Sequence, residues 1–386
     1  MKTESPLRVA HVVSGMVAGG IETWLMHVLR HVDQNRIQMD FFVNVEGLSH
    51  YDTEIRARGA RVIRCRSPRN PLAFGRSLVA GLRDHGPYDV VHSHLDHYSG
   101  FVMGLAKCAG VPMRVAHSHS DTSRAQAAAR GLRRIYLYSA KRAISRWATH
   151  GLANGATAGN SLFPAWGADE RWRVHHCAVD LEAYRKSESP RRLRASLGLP
   201  PDGLLLCHVG GFREPKNHRF VLEIARSVFL QNREARLLLV GDGKLRAEIE
   251  SYAHQLGIHE RVIFAGVVSN VAEHLLACDG FLLPSLWEGL PLAAVEAQAA
   301  GLPCVIATTV TPAVAVVDDL VQLLPIAAPA QTWATTILEM TSGERLVTPE
   351  AAFASVERSV FNIGTAIAEL EDFYFSGCER GDTGSG

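Results

Sequence analysis

Three observations predict an α/β chain built from two doubly wound halves, each a parallel sheet with helices on both faces. Short β-branched runs alternate with longer helical patterns from residue 8 onward, and that alternation is the mark of a parallel sheet. The rhythm halts over the polar, Pro-flanked stretch DLEAYRKSESPRRLRASLGLPP at residues 180–201, then resumes. The length, 386 residues at about 150 per domain, accommodates two such halves.

In the first half, RVAHVV at 8–13 reads as a buried strand. Gly19 and Gly20 form the turn that follows, and 21–31 is a helix. Strands at 39–43 and 61–65 alternate with helices at 51–58 and 71–84. DVVH at 89–92 is a strand, 98–109 a helix and 113–117 a strand. The second half opens with LLLCHV at 204–209, followed by a helix over 217–231. Strands at 236–240, 262–264, 280–284 and 304–307 then alternate with helices at 244–256, 271–277 and 291–300. The expected organisation is residues 1–183, a linker at 184–203, residues 204–355, and a C-terminal segment at 356–386. Parallel sheets bind ligands beyond the carboxyl ends of their strands, so the chemistry is expected in those loops, facing a cleft between the halves.

Composition narrows the functional classes. Hydrophobic residues are 47% and charged residues 20% of the chain, which is ordinary globular usage. The 40 basic and 39 acidic residues nearly cancel, so nothing points to a nucleic-acid partner. Seven scattered cysteines without a CxxC spacing fit reduced thiols rather than a disulfide framework. No leader pattern opens the sequence and no apolar run reaches about 18 residues, so a cytoplasmic location is expected. One local exception is a basic stretch at 124–146. It holds Arg124, Arg130, Arg133, Arg134, Lys141, Arg142 and Arg146, with no acidic residue, and apolar residues interleave among them. Such a helix suits an anionic membrane surface, with the alternative of a solvated helix face.

Four stretches carry candidate chemistry. In LLPSLWEGLPLAAVEAQAA, Glu288 follows a strand and Glu296 lies eight residues on, the only charged residue between 289 and 317. A carboxylate in such company needs hydrogen-bond donors, either a ligand's hydroxyls or solvent. Backbone N–H groups near Gly289 and Leu290 are placed to meet a phosphate, and Pro291 opens the helix. In VGGFREPKNH, Arg213 and Lys216 sit on a Gly-rich loop before a helix, a set suited to a diphosphate. Gly19 and Gly20 permit close backbone approach to a ligand. His117 and His119, like His92 and His94, end a strand. No Cys pair or carboxylate motif completes a metal ligand set around them, so no metal site is expected.

These pieces together resemble the family-four (group 1) retaining glycosyltransferases, in particular their capsular and exopolysaccharide branch. The resemblance runs through SGMVAGGIET, VHSH, GVPMRVAHSHSD, VGGFREPKNH, LLLVGDGKL, VIFAGVV and LLPSLWEGLPLAAVEAQAAGLPCVIA, and it extends to a helix at 361–375. It implies the GT-B architecture: two facing Rossmann-like domains with an interdomain cleft, the C-terminal helix returning to the first. It also implies transfer of a sugar from a nucleotide-diphosphate sugar, with UDP as the expected base, to a saccharide or lipid-linked saccharide. Glu296 would hold the ribose, Glu288 would lie near the sugar, and Gly289, Leu290 and Pro291 would meet sugar or phosphate by their backbone. Lys216 and Arg213 would stabilise the leaving diphosphate, Val267 would lie beside the base, and Gly19 and Gly20 would border the phosphates. His119 or His117 would approach the sugar. No metal or other cofactor is expected, because the sequence has no Asp-x-Asp pair. The chain departs from the family at Gly211, where Arg is usual, and at Cys177 and Asn154-Gly155. Two alternatives share the architecture, a non-catalytic subunit and a sugar-nucleotide 2-epimerase.

Overall fold

Two wholly parallel sheets organise the molecule, seen here in a computed structural model that describes residues 5–17, 19–185, 189–343 and 346–382. The side chains of residues 124 and 380–382 lie outside that description. The chain divides into two compact units, Met1–Ala178 with Ile363–Gly386, and Val179–Asn362.

The first unit contains β1 (Leu7–Val12), β2 (Ile37–Val43), β3 (Val62–Arg64), β4 (Val90–Ser93), β5 (Met113–Ser118), β6 (His150–Ala153) and β7 (Trp172–Val174). Their order across the sheet is β3-β2-β1-β4-β5-β6-β7. Strand β1 is central, and Val9 and Ala10 are fully buried, as its unbroken apolar run requires. The winding reverses direction between β1 and β4, and loops at such a reversal are open to a ligand. Helix Pro71–His85 starts where Asn70 accepts from the Ala73 N–H at 3.1 Å and Pro71 supplies a fixed φ at the first position. The last helix, Ile363–Asp382, belongs to this unit; its Tyr374 is buried, and Gly377 lies so close to Met113 that a Cβ there would come within 2.4 Å of the methyl carbon.

The second unit contains β8 (Leu205–Val209), β9 (Arg236–Val240), β10 (Val262–Gly266), β11 (Gly280–Leu283), β12 (Cys304–Ala307) and β13 (Val321–Leu324). The sheet order is β10-β9-β8-β11-β12-β13, with the reversal between β8 and β11. Leu206, Leu238, Phe281 and Val305, one from each of the four central strands, are fully buried and form the middle of its core.

Several details differ from the sequence expectation. Strands β6, β7 and β13 have only three or four residues each, too few to show a period. The stretch expected as a linker over 184–203 carries helix Pro190–Ser196 and belongs to the second unit, which begins at Val179; its residues 186–188 lie outside the described chain. Arg194 explains the attachment: it donates to Asp279 at 2.7 Å and to the Ala277 carbonyl at 2.8 Å, and is itself buried. The basic stretch at 124–146 is two helices, Ser123–Ala127 and Gly131–Trp147, separated by residues 128–130, with Gly131 taking a left-handed φ of 54° where the second begins. Of that stretch, the Arg124 side chain lies outside the described residues. The first turns of the longer helix project Leu132, Ile135, Tyr136 and Tyr138 into solvent, with only Ala140 and Ile144 buried. Among the described residues no helix is long and apolar enough to cross a membrane.

Candidate active site

The loop after β8 is built around close approaches that only glycine allows. Gly210 donates to the Val240 carbonyl at 2.9 Å, and a Cβ on Gly241 (φ 132°) would come within 2.3 Å of the Gly210 oxygen. The Lys216 stem lies over Gly210, with Cδ and Cε 3.0 Å from where a Cβ would be. Arg213 turns back over Gly211, its Nε 3.6 Å from the corresponding point, and forms no ion pair among the described residues. The loop ends at Asn217, a left-handed residue (φ 54°, ψ 44°) whose Nδ2 donates to the Pro284 carbonyl at 3.1 Å. Helix His218–Gln231 therefore starts with two cations over glycines just ahead of it.

The loop after β11 meets this one. Leu286 donates its N–H to the Pro215 carbonyl at 2.8 Å. Glu288 Oε1 receives Lys216 Nζ at 2.6 Å and the Ser285 hydroxyl at 2.8 Å, and both members of the ion pair are largely buried. Ser285 is itself held by Thr309, which donates to its carbonyl at 2.5 Å. Glu288 is thus a paired carboxylate that neutralises one of the two loop cations. Gly289 and Leu290 follow, and Pro291 precedes the helix Leu292–Ala299 as its cap, so the helix begins one position later than expected. No side chain caps that helix end, and within its first turn Ala294 donates its N–H to the Pro291 carbonyl at 2.9 Å. Glu296 lies on this helix without a hydrogen-bond or ion-pair partner among the described residues; burial pushes its carboxyl up to about 7. Val267 stands half-exposed just past the end of β10, beside Gly266 (φ 72°), whose carbonyl accepts from Gly241. The second unit therefore brings Arg213, Lys216, Glu288, Gly289, Leu290, Pro291, Glu296 and Val267 to the carboxyl side of one sheet.

The first unit arranges its strand ends differently. His11, His92, His94, His117 and His119 come from β1, β4, β5 and the residues just beyond, and His175 from the turn after β7. All six are buried, the most accessible, His119, being 6% exposed. The five other than His175 form two hydrogen-bonded chains. Tyr374 Oη meets His92 Nδ1 at 2.6 Å, and His92 Nε2 meets His117 Nδ1 at 3.0 Å. His11 Nδ1 meets His94 Nε2 at 3.0 Å, His94 Nδ1 meets His119 Nε2 at 2.9 Å, and His119 Nδ1 lies 3.6 Å from Cys177 Sγ. Trp24 packs its indole against His94, His117, His119 and His175. Burial drives the His11 and His119 imidazoles down to about 3, so the rings are neutral. His119 and His117, expected beside a sugar, sit inside this cluster, and both His119 nitrogens already have neighbours in the protein. Asp96 reaches in from the β4 side to accept the His119 backbone N–H, and burial raises its carboxyl to about 6.

Gly19 and Gly20 stand at the start of helix Gly20–His31, Gly19 as its extended cap residue; neighbouring Ala18 lies outside the described chain. The Glu22 carboxylate folds back over Gly19, 2.5 Å from where a Cβ would be, while Gly20 is open. Sequence reasoning missed Glu22, His11, Tyr374, Ser285 and Asn217. For His11 the signal was available, since it shares a strand-end level with His92, its cross-strand neighbour. Nothing in the local sequence marks Tyr374.

Comparison with known proteins follows the same division. Residues 18–183 match the family described as Glycosyltransferase Family 4, and residues 190–349 match Glycosyl transferases group 1. The chain is 37% identical over 346 residues to the putative glycosyltransferase EpsF of Bacillus subtilis (strain 168), spanning 88% of this chain and 89% of that one. It is 24% identical over 315 residues to a UDP-Gal:alpha-D-GlcNAc-diphosphoundecaprenol alpha-1,3-galactosyltransferase of Escherichia coli, 79% of this chain and 80% of that one. Among solved structures, Anabaena HepE in complex with UDP and glucose superposes with a TM-score of 0.79 at 19% identity, covering 96% of this chain and all of that one. WaaG, a glycosyltransferase involved in lipopolysaccharide biosynthesis, gives 0.73 at 17%, covering 95% and 99%. At these identities the two structures speak for the fold alone.

Proposed function

The chain belongs to the family-four, group 1 glycosyltransferases, and from that premise we propose that it moves a sugar, with retention at the anomeric carbon, from a UDP-sugar to a saccharide or lipid-linked saccharide of a surface polysaccharide. The donor follows the UDP complexes of HepE, and the acceptor class follows the name of the E. coli enzyme. The observation that carries the reading is the pair of cations laid over Gly210 and Gly211 at a strand end, next to an uncapped helix start. That set is made for a diphosphate.

The second unit holds the donor in this reading. Glu296 accepts the ribose hydroxyls, and Val267 covers the base. The N–H groups from Gly289 through the first turn after Pro291 meet sugar and phosphate. Lys216 and Arg213 bind the diphosphate, and Arg213 takes the place of the Arg that the family usually has at position 211. The bond from the anomeric carbon to the phosphate oxygen breaks, and a bond to the acceptor oxygen forms on the same face. The acceptor's proton passes to the departing phosphate oxygen, so no protein base is required. The cations and helix N–H groups neutralise the charge that a divalent ion would otherwise meet. The first unit takes the acceptor, and the exposed Leu132, Ile135, Tyr136 and Tyr138 among arginines suit it to an anionic membrane surface that presents a lipid-linked acceptor.

A donor panel tests this directly. Release of UDP from one UDP-sugar is expected in the presence of a saccharide acceptor, with the anomeric configuration kept and the rate unchanged by Mg²⁺ or Mn²⁺. Inversion of the product, or a strict need for Mg²⁺ or Mn²⁺, overturns the mechanism; C2 epimerisation of the donor or complete inertness favours the epimerase or the non-catalytic subunit. Sedimentation with anionic vesicles, lost at moderate salt, is expected for the membrane contact.

A further inference from the structure

We propose that His94, His117 and His119 form a binding site for one first-row divalent metal ion of imidazole preference, with Zn²⁺ as the expected occupant. One nitrogen from each of the three rings lies within 4.8 Å of the others, and all three rings are buried. His117 Nε2 has no hydrogen-bond partner although it is fully enclosed. His175 Nε2, on a ring whose centroid is 6.3 Å from that of His117, is also buried without one. Orphaned nitrogens at the focus of a histidine cluster ask for an occupant.

The surrounding hydrogen bonds fit that occupant. With His94 Nδ1, His119 Nε2 and His117 Nε2 turned to the ion, each ring must carry its proton on the opposite nitrogen. Every one of those N–H groups already faces an acceptor. His94 Nε2 faces His11 Nδ1, His119 Nδ1 faces Cys177 Sγ, and His117 Nδ1 faces His92 Nε2. His92 in turn can donate from Nδ1 to Tyr374 Oη. All rings stay neutral, and only tautomers shift. Metal-bound histidines characteristically donate their second nitrogen in this way. Little movement is needed as well: His94 Nδ1 and His119 Nε2 are 2.9 Å apart, and two nitrogens on a tetrahedral zinc stand about 3.3 Å apart. The donor set, all imidazole, disfavours Mg²⁺ and Ca²⁺ and suits zinc, cobalt or copper. The ion ties the carboxyl ends of β4 and β5 together; it is remote in kind from a diphosphate-bridging ion, which takes oxygen ligands.

The experiment uses the full-length chain without a polyhistidine tag. About one equivalent of zinc is expected per chain, either on purification or after adding Zn²⁺ to chelator-treated protein. Adding Zn²⁺, but not Mg²⁺, is expected to raise Tm by several degrees. Co²⁺ is expected to give the visible absorption of a four-coordinate nitrogen site. Cys177→Ala should weaken Zn²⁺ binding about tenfold by removing an outer partner. His117→Gln should abolish binding, whereas His218→Gln, at a separate buried histidine of the second unit, should retain it. If His117→Gln does not fold, Cu²⁺ electron paramagnetic resonance of the wild type replaces it, with coupling to at least three nitrogens expected. No zinc uptake by the wild type, or uptake unaffected in folded His117→Gln, overturns the proposal; coupling to fewer than three nitrogens does the same.

Discussion

The two sheets end in opposite kinds of chemistry. At the strand ends of the first unit, five neutral histidines link in buried chains with a sixth, His175, beside them, and Asp96, which accepts the His119 backbone N–H, is itself raised toward neutrality. At the strand ends of the second, Lys216 and Glu288 form an ion pair, Arg213 lies over Gly211 without one, and Glu296 stands without a partner among the described residues. The same topology therefore yields one end whose polar groups bond mainly to each other and one end that is electrostatically unfinished. The cations of the second end suit an anionic ligand and the neutral imidazoles of the first do not, which is the physical ground on which the proposed function assigns the donor to the second unit.

The largest effect that sharpens the contrast is expected at the two cations. On the proposed function, charge builds on the diphosphate as the glycosidic bond breaks, so Lys216 and Arg213 act on the transition state more than on binding. Lys216→Ala and Arg213→Ala should each lower kcat about a hundredfold, with a smaller change in UDP affinity. Gly211→Arg should leave an already active enzyme active. Steady-state kinetics decide: wild-type turnover by Arg213→Ala would show that the guanidinium over Gly211 is not the replacement cation.

Next in size is the pH response of Glu296. Its folded carboxyl sits near 7 against an ordinary 4.5, because burial disfavours the ionised form. The resulting cost to stability is absent below about pH 4.5, grows as pH rises, and is complete above about pH 7. Glu296→Gln should therefore raise the Tm of the free protein at about pH 8 and leave it unchanged at about pH 4. Ribose hydroxyls need the carboxylate as acceptor, so UDP affinity should fall about tenfold between about pH 8 and pH 6. Calorimetry on both proteins checks this. The pH-dependence of the wild type should exceed that of Glu296→Gln, in which only the titration of UDP remains.

The smallest effect is expected at the self-satisfied end. Tyr374→Phe removes one hydrogen bond to His92 and should cost about 1 kcal/mol, a drop of a few degrees in Tm. Its effect on kcat should be far below that of the Lys216 variant. A Tyr374→Phe protein that kept its Tm but lost turnover would erase the distinction between the two ends.

Much of this contrast was legible in the sequence, but unevenly. The strand-and-helix rhythm, the cation loop and the spacing from Glu288 to Glu296 are local patterns, so they announce themselves. The histidine chains are not local: Tyr374 reaches His92 across 282 residues, and His94 reaches His119 across 25. Strand register joins the histidines, and the packing of the last helix brings in Tyr374. The Lys216–Glu288 pair was hidden for the same reason, since both residues were recognised yet their contact depends on the order of β8 and β11. The basic stretch misled through Gly131, because a glycine in a helical pattern is tolerated as often as it breaks one.

The Lys216–Glu288 contact also bears on how a reaction cycle would restart. Glu288 already takes one of the Lys216 ammonium's three N–H donors, so on the proposed function an incoming phosphate would compete with a tethered carboxylate. The Ser285 hydroxyl donates to the same carboxylate, so a Glu288 parted from Lys216 would still have a partner. In that reading the carboxylate would remain tethered beside Lys216 after the bond to the sugar is broken. A built-in rival of this kind weakens the hold on substrate and on spent nucleotide alike, and so lets a loop that grips phosphate strongly in passing release it afterwards.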